Sequence, residues 1–218
     1  MNESPAIVFM GTPDFSVPCL LALHEAGYAL PLVVTQPDRP KGRGRNLTPP
    51  PVKETAVRLG LAVAQPRTVR DKVFIDTLRD LSPDFLVVVA FGQILPQVLL
   101  DIPRRCAVNV HASLLPKYRG PAPIQWAMIR GEKETGITTM LMDSGVDTGD
   151  ILMQAPTPIG PEDTADSMHE RLAHLGSQLL IETLQGLWQG TLYPQAQRNN
   201  GATYVSKMPL MKEGKFQI

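Results

Sequence analysis

Short apolar runs alternating with helical stretches constrain this chain most. Residues 6–10, 30–35, 85–90 and 107–110 read as strands. Residues 12–27 read as a helix that Thr12 caps, Pro13 begins and Gly27 closes. Further helical segments fall at 52–59 and 71–80, with a short strand near 61–64. Residues 121–130 make a helix with proline at its start, and 137–142 and 150–159 make two more strands. A long helical period covers 164–188, with Asp166 in its first turn. This order implies an α/β fold, a doubly wound and mostly parallel sheet of Rossmann-like type. Ligands of such sheets bind beyond the carboxyl ends of strands. Met10, Ala90 and Val110 end strands just before polar loops, so those loops converge.

A chain of 218 residues fits one domain with a short appendage, and on folding it buries about 70% of its unfolded surface. Lys+Arg 21 balances Asp+Glu 21, which excludes wholesale coating of nucleic acid and leaves only a local basic patch for such contact. Cys19 and Cys106 lie far apart and suggest a reducing compartment rather than a disulfide framework. No apolar run approaches the ~18 residues of a membrane span, and the acidic, proline-containing start is no signal peptide. The expectation is a cytoplasmic protein.

Asn109 and His111 stand two apart at the end of a strand, which places both on one face. An amide donor beside a titratable imidazole suits acyl transfer, because one group can hold a developing oxyanion while the other handles a proton. The plain alternative is a strand end whose polar residues satisfy neighbouring backbone. Residues 143–150 form a tight acidic loop with two glycines. A carboxylate from it could orient His111 and favour its charged form. The loop lacks the ligand spacing and terminal glutamate of an EF-hand, so calcium is not expected.

These segments resemble the folate-dependent formyltransferases. The resemblance runs in order along nearly the whole chain. It rests on Ile7 to Pro18, Ala90 to Pro96, Asn109 to Gly120, Pro121 to Trp126, Gly131 to Gly136 and Asp143 to Asp150. The Asn-x-His and Ser-Leu-Leu-Pro signals are specific for the wide group. The opening motif and Pro-Ala-Pro-Ile-Gln-Trp point to the methionyl-tRNA formyltransferases within it. The resemblance implies 10-formyltetrahydrofolate as co-substrate, no metal, and initiator methionyl-tRNA as partner of a monomeric enzyme. It implies Asn109, His111 and Asp147 as catalytic residues. Phe91, Gly92, Ile94, Leu95, Ser113, Leu114, Leu115, Pro116 and Asp143 are implied as the folate pocket. Gly11 and Thr12 would lie beside the aminoacyl substrate, and Arg43 would meet the tRNA acceptor end. Residues 1–198 would form the catalytic domain and 199–218 a linker, with the group's C-terminal tRNA-binding barrel absent from this chain.

Several readings compete with these. Gly11-Thr12-Pro13 lacks the three spaced glycines of a dinucleotide fingerprint, and a plain strand-to-helix turn explains it. Residues 36–51 hold five prolines, two glycines and four basic residues. That loop is expected to be long, poorly ordered without RNA and suited to phosphates, although a charge run can also be a solvated surface. Ser113 lacks the glycine elbow of a nucleophile. Ile94 and Leu95 can be partly ordinary core. His24, His169 and His174 fall on helices with no evident partner. A formyltransferase acting on an amino sugar nucleotide or another small amine is the closer rival function. A folate-binding remnant is the other.

Overall fold

The computed structural model describes residues 4–41, 46–198 and 200–208. Its main sheet has seven strands in the order β5-β2-β1-β6-β7-β8-β9. The strands are β1 (Ala6–Gly11), β2 (Ala29–Val34), β5 (Val63–Ala64), β6 (Phe85–Val89), β7 (Cys106–His111), β8 (Glu134–Leu141) and β9 (Ile151–Pro158). Pairing is parallel from β5 through β7, then antiparallel from β7 to β8 and from β8 to β9. The expected doubly wound, mostly parallel sheet is therefore present.

Alternation along the strands divides the core into two layers. Ile7 and Phe9 of β1 join Phe85, Val87 and Val89 of β6 in the first. α1 (Val17–Glu25) and α6 (Ala165–Gln189) cover that face, through Leu20, Leu23, Leu172 and Leu180 among others. Val8 and Met10 join Leu86 and Val88 in the second layer. There α3 (Lys72–Leu81) contributes Phe74 and Leu78, and α4 (Gln97–Leu100) contributes Leu99 and Leu100. Helices on both faces explain why β6 reads as an unbroken apolar run.

The other half of the sheet is built differently. α6 packs on β7, β8 and β9 from the first face only, where Ile137 is buried and the Thr139 hydroxyl lies 2.8 Å from that of Thr183. On the second face of β8, the carbonyl of Ser113 accepts a 2.7 Å bond from the Thr138 hydroxyl, so a loop covers it. Leu115 N donates to that same hydroxyl at 3.1 Å.

Local signals explain most element ends. Asp71 caps α3 by accepting from Phe74 N. Thr164 and Ser167 form a reciprocal capping box at the start of α6. Gly27, at φ 75°, follows the end of α1 as expected. Thr12 does not cap that helix. A 3-10 turn, Asp14–Ser16, intervenes, and the Thr12 hydroxyl instead donates to the carbonyl of Phe91 at 2.9 Å. The helix at 121–130 begins later than expected, as α5 (Pro123–Ile129), because Ala122 adopts a left-handed conformation, φ 60°.

Of the 36–51 segment, residues 42–45 lie outside the described residues, and the described parts on either side are not irregular loop. β3 (Arg39–Lys41) pairs antiparallel with β4 (Asn46–Thr48), and α2 (Pro51–Arg58) follows. The base is pinned through Asp38, which accepts from Lys53 Nζ at 2.7 Å and Gln65 Nε2 at 2.7 Å. Those bonds lower the Asp38 pKa from its usual value, the Lys53 bond most. Backbone pairing and a fixed carboxylate supply the order that the missing apolar side chains do not.

Cys19 and Cys106 are both free thiols. Burial pushes Cys19 up to about 12 and Cys106 up to about 11. At pH 8 the thiolate fraction of each is small, and thiolate is the form that reacts. Alkylation by iodoacetamide at pH 8 is expected to run at least about tenfold slower in the folded protein than in urea. Equal rates in the two states would contradict this burial.

Candidate active site

β7 puts alternate side chains on opposite faces. Val108 and Val110 enter the first core, so Asn109 and His111 point to the second face, the one covered by loops. There they meet Asp147. Asn109 Nδ2 donates to Asp147 Oδ1 at 3.4 Å, and His111 Nδ1 lies 3.6 Å from Asp147 Oδ2. Gly120 N donates to the same Oδ2 at 2.8 Å, so backbone fixes the carboxylate from a third side.

The other ring nitrogen of His111 decides how the imidazole can act. Nε2 lies 2.9 Å from the carbonyl oxygen of Tyr118. A carbonyl only accepts, so Nε2 carries the hydrogen. Nδ1 is then the atom free to take or give a proton on the Asp147 side. The Tyr118 phenol donates to Glu132 Oε1 at 2.6 Å, and burial first, then that bond, pushes its pKa up. His111 is 7% exposed, so it is positioned by protein rather than solvent.

Backbone strain concentrates here. Ala90, Tyr118, Ala122 and Asp147 are non-glycine residues with φ of 46°, 61°, 60° and 52°. Such conformations cost about 1–3 kcal/mol each and persist where surroundings enforce them. All four lie in or beside the loops that meet at His111.

These loops enclose a cavity of about 570 Å³. Val88, Asn109, His111, Met140 and Met142 form its floor, which is the second face of β6, β7 and β8 with its margin. Phe91, Gly92, Ile94 and Leu95 line one side, with Ile94 69% exposed at the lip. Asp143 and Asp147 line another side. Asp143 also accepts from the Thr148 hydroxyl at 2.8 Å and from Gly145 N at 3.0 Å, closing its loop upon itself. The cavity thus offers an apolar wall, side-chain amides, two imidazoles and two carboxylates, a setting for a flat ligand with a reacting polar end.

The remaining sequence-derived residues sit elsewhere. Ser113, Leu114, Leu115 and Pro116 are not in the cavity lining; the Ser113 carbonyl and the Leu115 amide bond Thr138 of β8 instead. The Ser113 hydroxyl donates to Lys117 O at 2.7 Å. Gly11 and Thr12 are also outside the lining, where Thr12 joins the ends of β1 and β6, and Pro13 and Phe15 of the following turn reach the cavity instead. Arg43 lies outside the described residues. Among the described residues no group of His, Cys, Asp or Glu could hold a metal, and no helix is long and apolar enough to cross a membrane.

Sequence reasoning missed His169. It is not partnerless: it lines the cavity, its ring meets Phe15 edge-on at 5.3 Å, and its Nε2 lies 3.3 Å from Asp14 Oδ1. No sequence signal marks it, because the start of α6 meets the turn after β1 only in three dimensions. The segment after α6 was missed too. Thr203 O accepts from Arg119 N, and Arg119 O accepts from Val205 N, both at 2.8 Å. Trp126 Nε1 donates to Ser206 O at 2.8 Å, so residues 200–208 brace the loop beside His111.

The profile of the formyl transferase family matches residues 5–184. The chain belongs to the formyl transferase family. Among its relatives in this family, the methionyl-tRNA formyltransferase of Pelobacter propionicus is 55% identical over 211 residues, covering 97% of this chain and 65% of that protein. The methionyl-tRNA formyltransferase of Pelotomaculum thermopropionicum is 58% identical over 184 residues, covering 84% of this chain and 59% of that protein. The chain therefore spans under two thirds of the length of these curated relatives. Solved formyl transferase structures share the fold. Glycinamide ribonucleotide transformylase 1 from Symbiobacterium toebii superposes with a TM-score of 0.73 at 18% identity, over 91% of this chain and 96% of that one. An N-formyltransferase from Helicobacter canadensis, solved with folinic acid and dTDP-3-aminofucose, gives 0.71 at 20% identity, over 99% and 75%.

Proposed function

We propose that this formyl transferase moves the formyl group of 10-formyltetrahydrofolate to the amine of methionyl-initiator tRNA. The convergence of Asn109, His111 and Asp147 on one cavity with an apolar wall carries this reading. The relatives named above supply the choice of acceptor. In this reading the apolar wall at Phe91 and Ile94 takes the flat pterin and leaves the formyl carbon near Asn109. The acceptor amine attacks that carbon, forming a C–N bond and an oxyanion. The Asn109 amide donates to the oxyanion, and His111, entering the step as an imidazolium protonated on both nitrogens, gives its Nδ1 proton to the folate nitrogen as that nitrogen's bond to the formyl carbon breaks. The amine proton leaves toward Asp147. Co-substrate and protein divide the work: folate carries the group, while the protein orients it and stabilises charge.

Residues 1–198 carry the chemistry in this proposal, and of the expected linker 199–218 the described residues 203–206 bond back to Arg119 and Trp126. The protein works as a monomer in this proposal, and its two free thiols, Cys19 buried and Cys106 partly so, suit a reducing compartment such as the cytoplasm. A paired assay tests the acceptor: charged initiator tRNA against an amino sugar nucleotide, with the same formyl donor. Transfer to the sugar alone would overturn the tRNA assignment.

β3, which ends at Lys41, and β4 flank Gly42-Arg43-Gly44-Arg45 in sequence, and arginine forks suit phosphate oxygens. Arg43→Ala is therefore expected to raise KM for charged tRNA about tenfold while moving KM for the formyl donor little, with a smaller defect at high salt. Equal losses toward both substrates would remove this loop from acceptor binding.

A further inference from the structure

One amide joins the two loops that hold the candidate catalytic residues. Gln197 Nε2 donates to the carbonyls of Asp147 at 3.0 Å and Gly149 at 2.7 Å. Its Oε1 accepts from Arg119 Nη2 at 2.7 Å and Nε at 3.1 Å. Both donor hydrogens and both acceptor lone pairs of the side chain are used. Arg119 stands between Tyr118, whose carbonyl fixes His111, and Gly120, whose amide fixes Asp147. Gln197 thus spans the gap between residues 118–120 and residues 147–149.

The surroundings make this link consequential. Arg119 is 3% exposed, and among the described residues it has no carboxylate within ion-pair distance. Its charge is met by Gln197 and by the Tyr204 hydroxyl, which accepts from Nη1 at 2.9 Å. Asp147 holds a left-handed backbone, φ 52°, that relaxes unless the loop is tied down. Its carbonyl is tied by Gln197. Gln195 pairs with Ile151 of β9 in both directions at 2.8 Å, which sets the strand-like path that delivers Gln197. The whole segment lies beyond residues 5–184, the part the family profile matches.

We infer that Gln197 is a positioning residue for the transfer reaction, holding Asp147 and the carbonyl partner of His111 in register from beyond residues 5–184, the part that the family profile matches. The inference rests on the function proposed above for its kinetic reading. Gln197→Met removes both the donors and the acceptor. Gln197→Glu keeps an acceptor for Arg119 and removes the donors to Asp147 and Gly149. Both variants are expected to lose about tenfold or more in kcat while KM for the formyl donor stays within about threefold. Arg171→Ala, which breaks the surface pair with Asp163 at 2.6 Å, supplies a control of lowered Tm with parental kcat. Exchange of the Gly120 amide hydrogen, followed by NMR, reads the bond to Asp147 without any turnover. It is expected to speed up about tenfold in both Gln197 variants, with amides of α6 unchanged.

A parental kcat in Gln197→Glu would reduce the residue to a partner for Arg119 and overturn the inference. So would a kcat loss that Arg171→Ala shares. If the parent protein transfers no formyl group, the functional reading fails, and Gly120 exchange alone decides: acceleration supports the positioning role and unchanged exchange overturns it.

Discussion

Alanine at Asn109 or at His111 is expected to lower formyl transfer by roughly 100- to 1000-fold, the usual loss for one preorganised oxyanion or proton-handling group. Binding of the folate co-substrate is expected to stay within about threefold of the parent, because neither group forms the apolar wall. The two variants differ in stability. His111→Ala leaves the Tyr118 carbonyl without its 2.9 Å donor, a cost of about 1–3 kcal/mol. Asn109→Ala loses a long 3.4 Å bond to a carboxylate that keeps its bond from Gly120. Its Tm is expected near that of the parent. Rates are compared well below both melting temperatures. Activity within threefold of the parent in both variants would remove the pair from the chemistry.

A single methyl group at Gly149 is expected to disable the site without touching any of its polar side chains. A Cβ there would run into the carbonyl oxygen of Leu141, which is backbone and has no room to yield. Leu141 is held in turn by its amide bond to the Asp150 carbonyl at 2.9 Å. The loop must move, and with it Asp147 two residues away. Forced displacements of this kind cost about 1–3 kcal/mol. Gly149→Ala is therefore expected to lower Tm by several degrees and formyl transfer by about 100-fold, the rate falling further than stability alone requires. A variant with parental rate and parental Tm would show that the loop tolerates another path.

Much of this architecture is legible in the sequence because its causes are local. β1 and β6 announce themselves as apolar runs, since burial on both faces leaves no polar alternation. Thr164 and Asp71 mark helix starts with capping side chains. Asn109 and His111 are legible as a pair because strand geometry alone places them together. Other features arise from contacts distant in sequence. Thr12 has the chemistry of a cap, but the Phe91 carbonyl, 79 residues away, claims its hydroxyl. The hairpin of β3 and β4 lacks alternating hydrophobic residues and is held through Asp38, Lys53 and Gln65. His169 and Gln197 reach the site only after α6 and the segment beyond it have docked, and no spacing rule connects either residue to its partners.

The uneven backing of the sheet has a consequence for how such a protein can change. Where β7, β8 and β9 rest on α6, a substitution alters side chains that fill the interior, and the fold itself is at stake. On the reverse side of those same strands the occupants are connecting segments, so altering them redraws a surface while leaving the frame standing. The two sides can accumulate differences at separate tempos. New acceptor preferences can then emerge from insertions and exchanges in the connections, with the strand carrying Asn109 and His111 held true by the helix at its back.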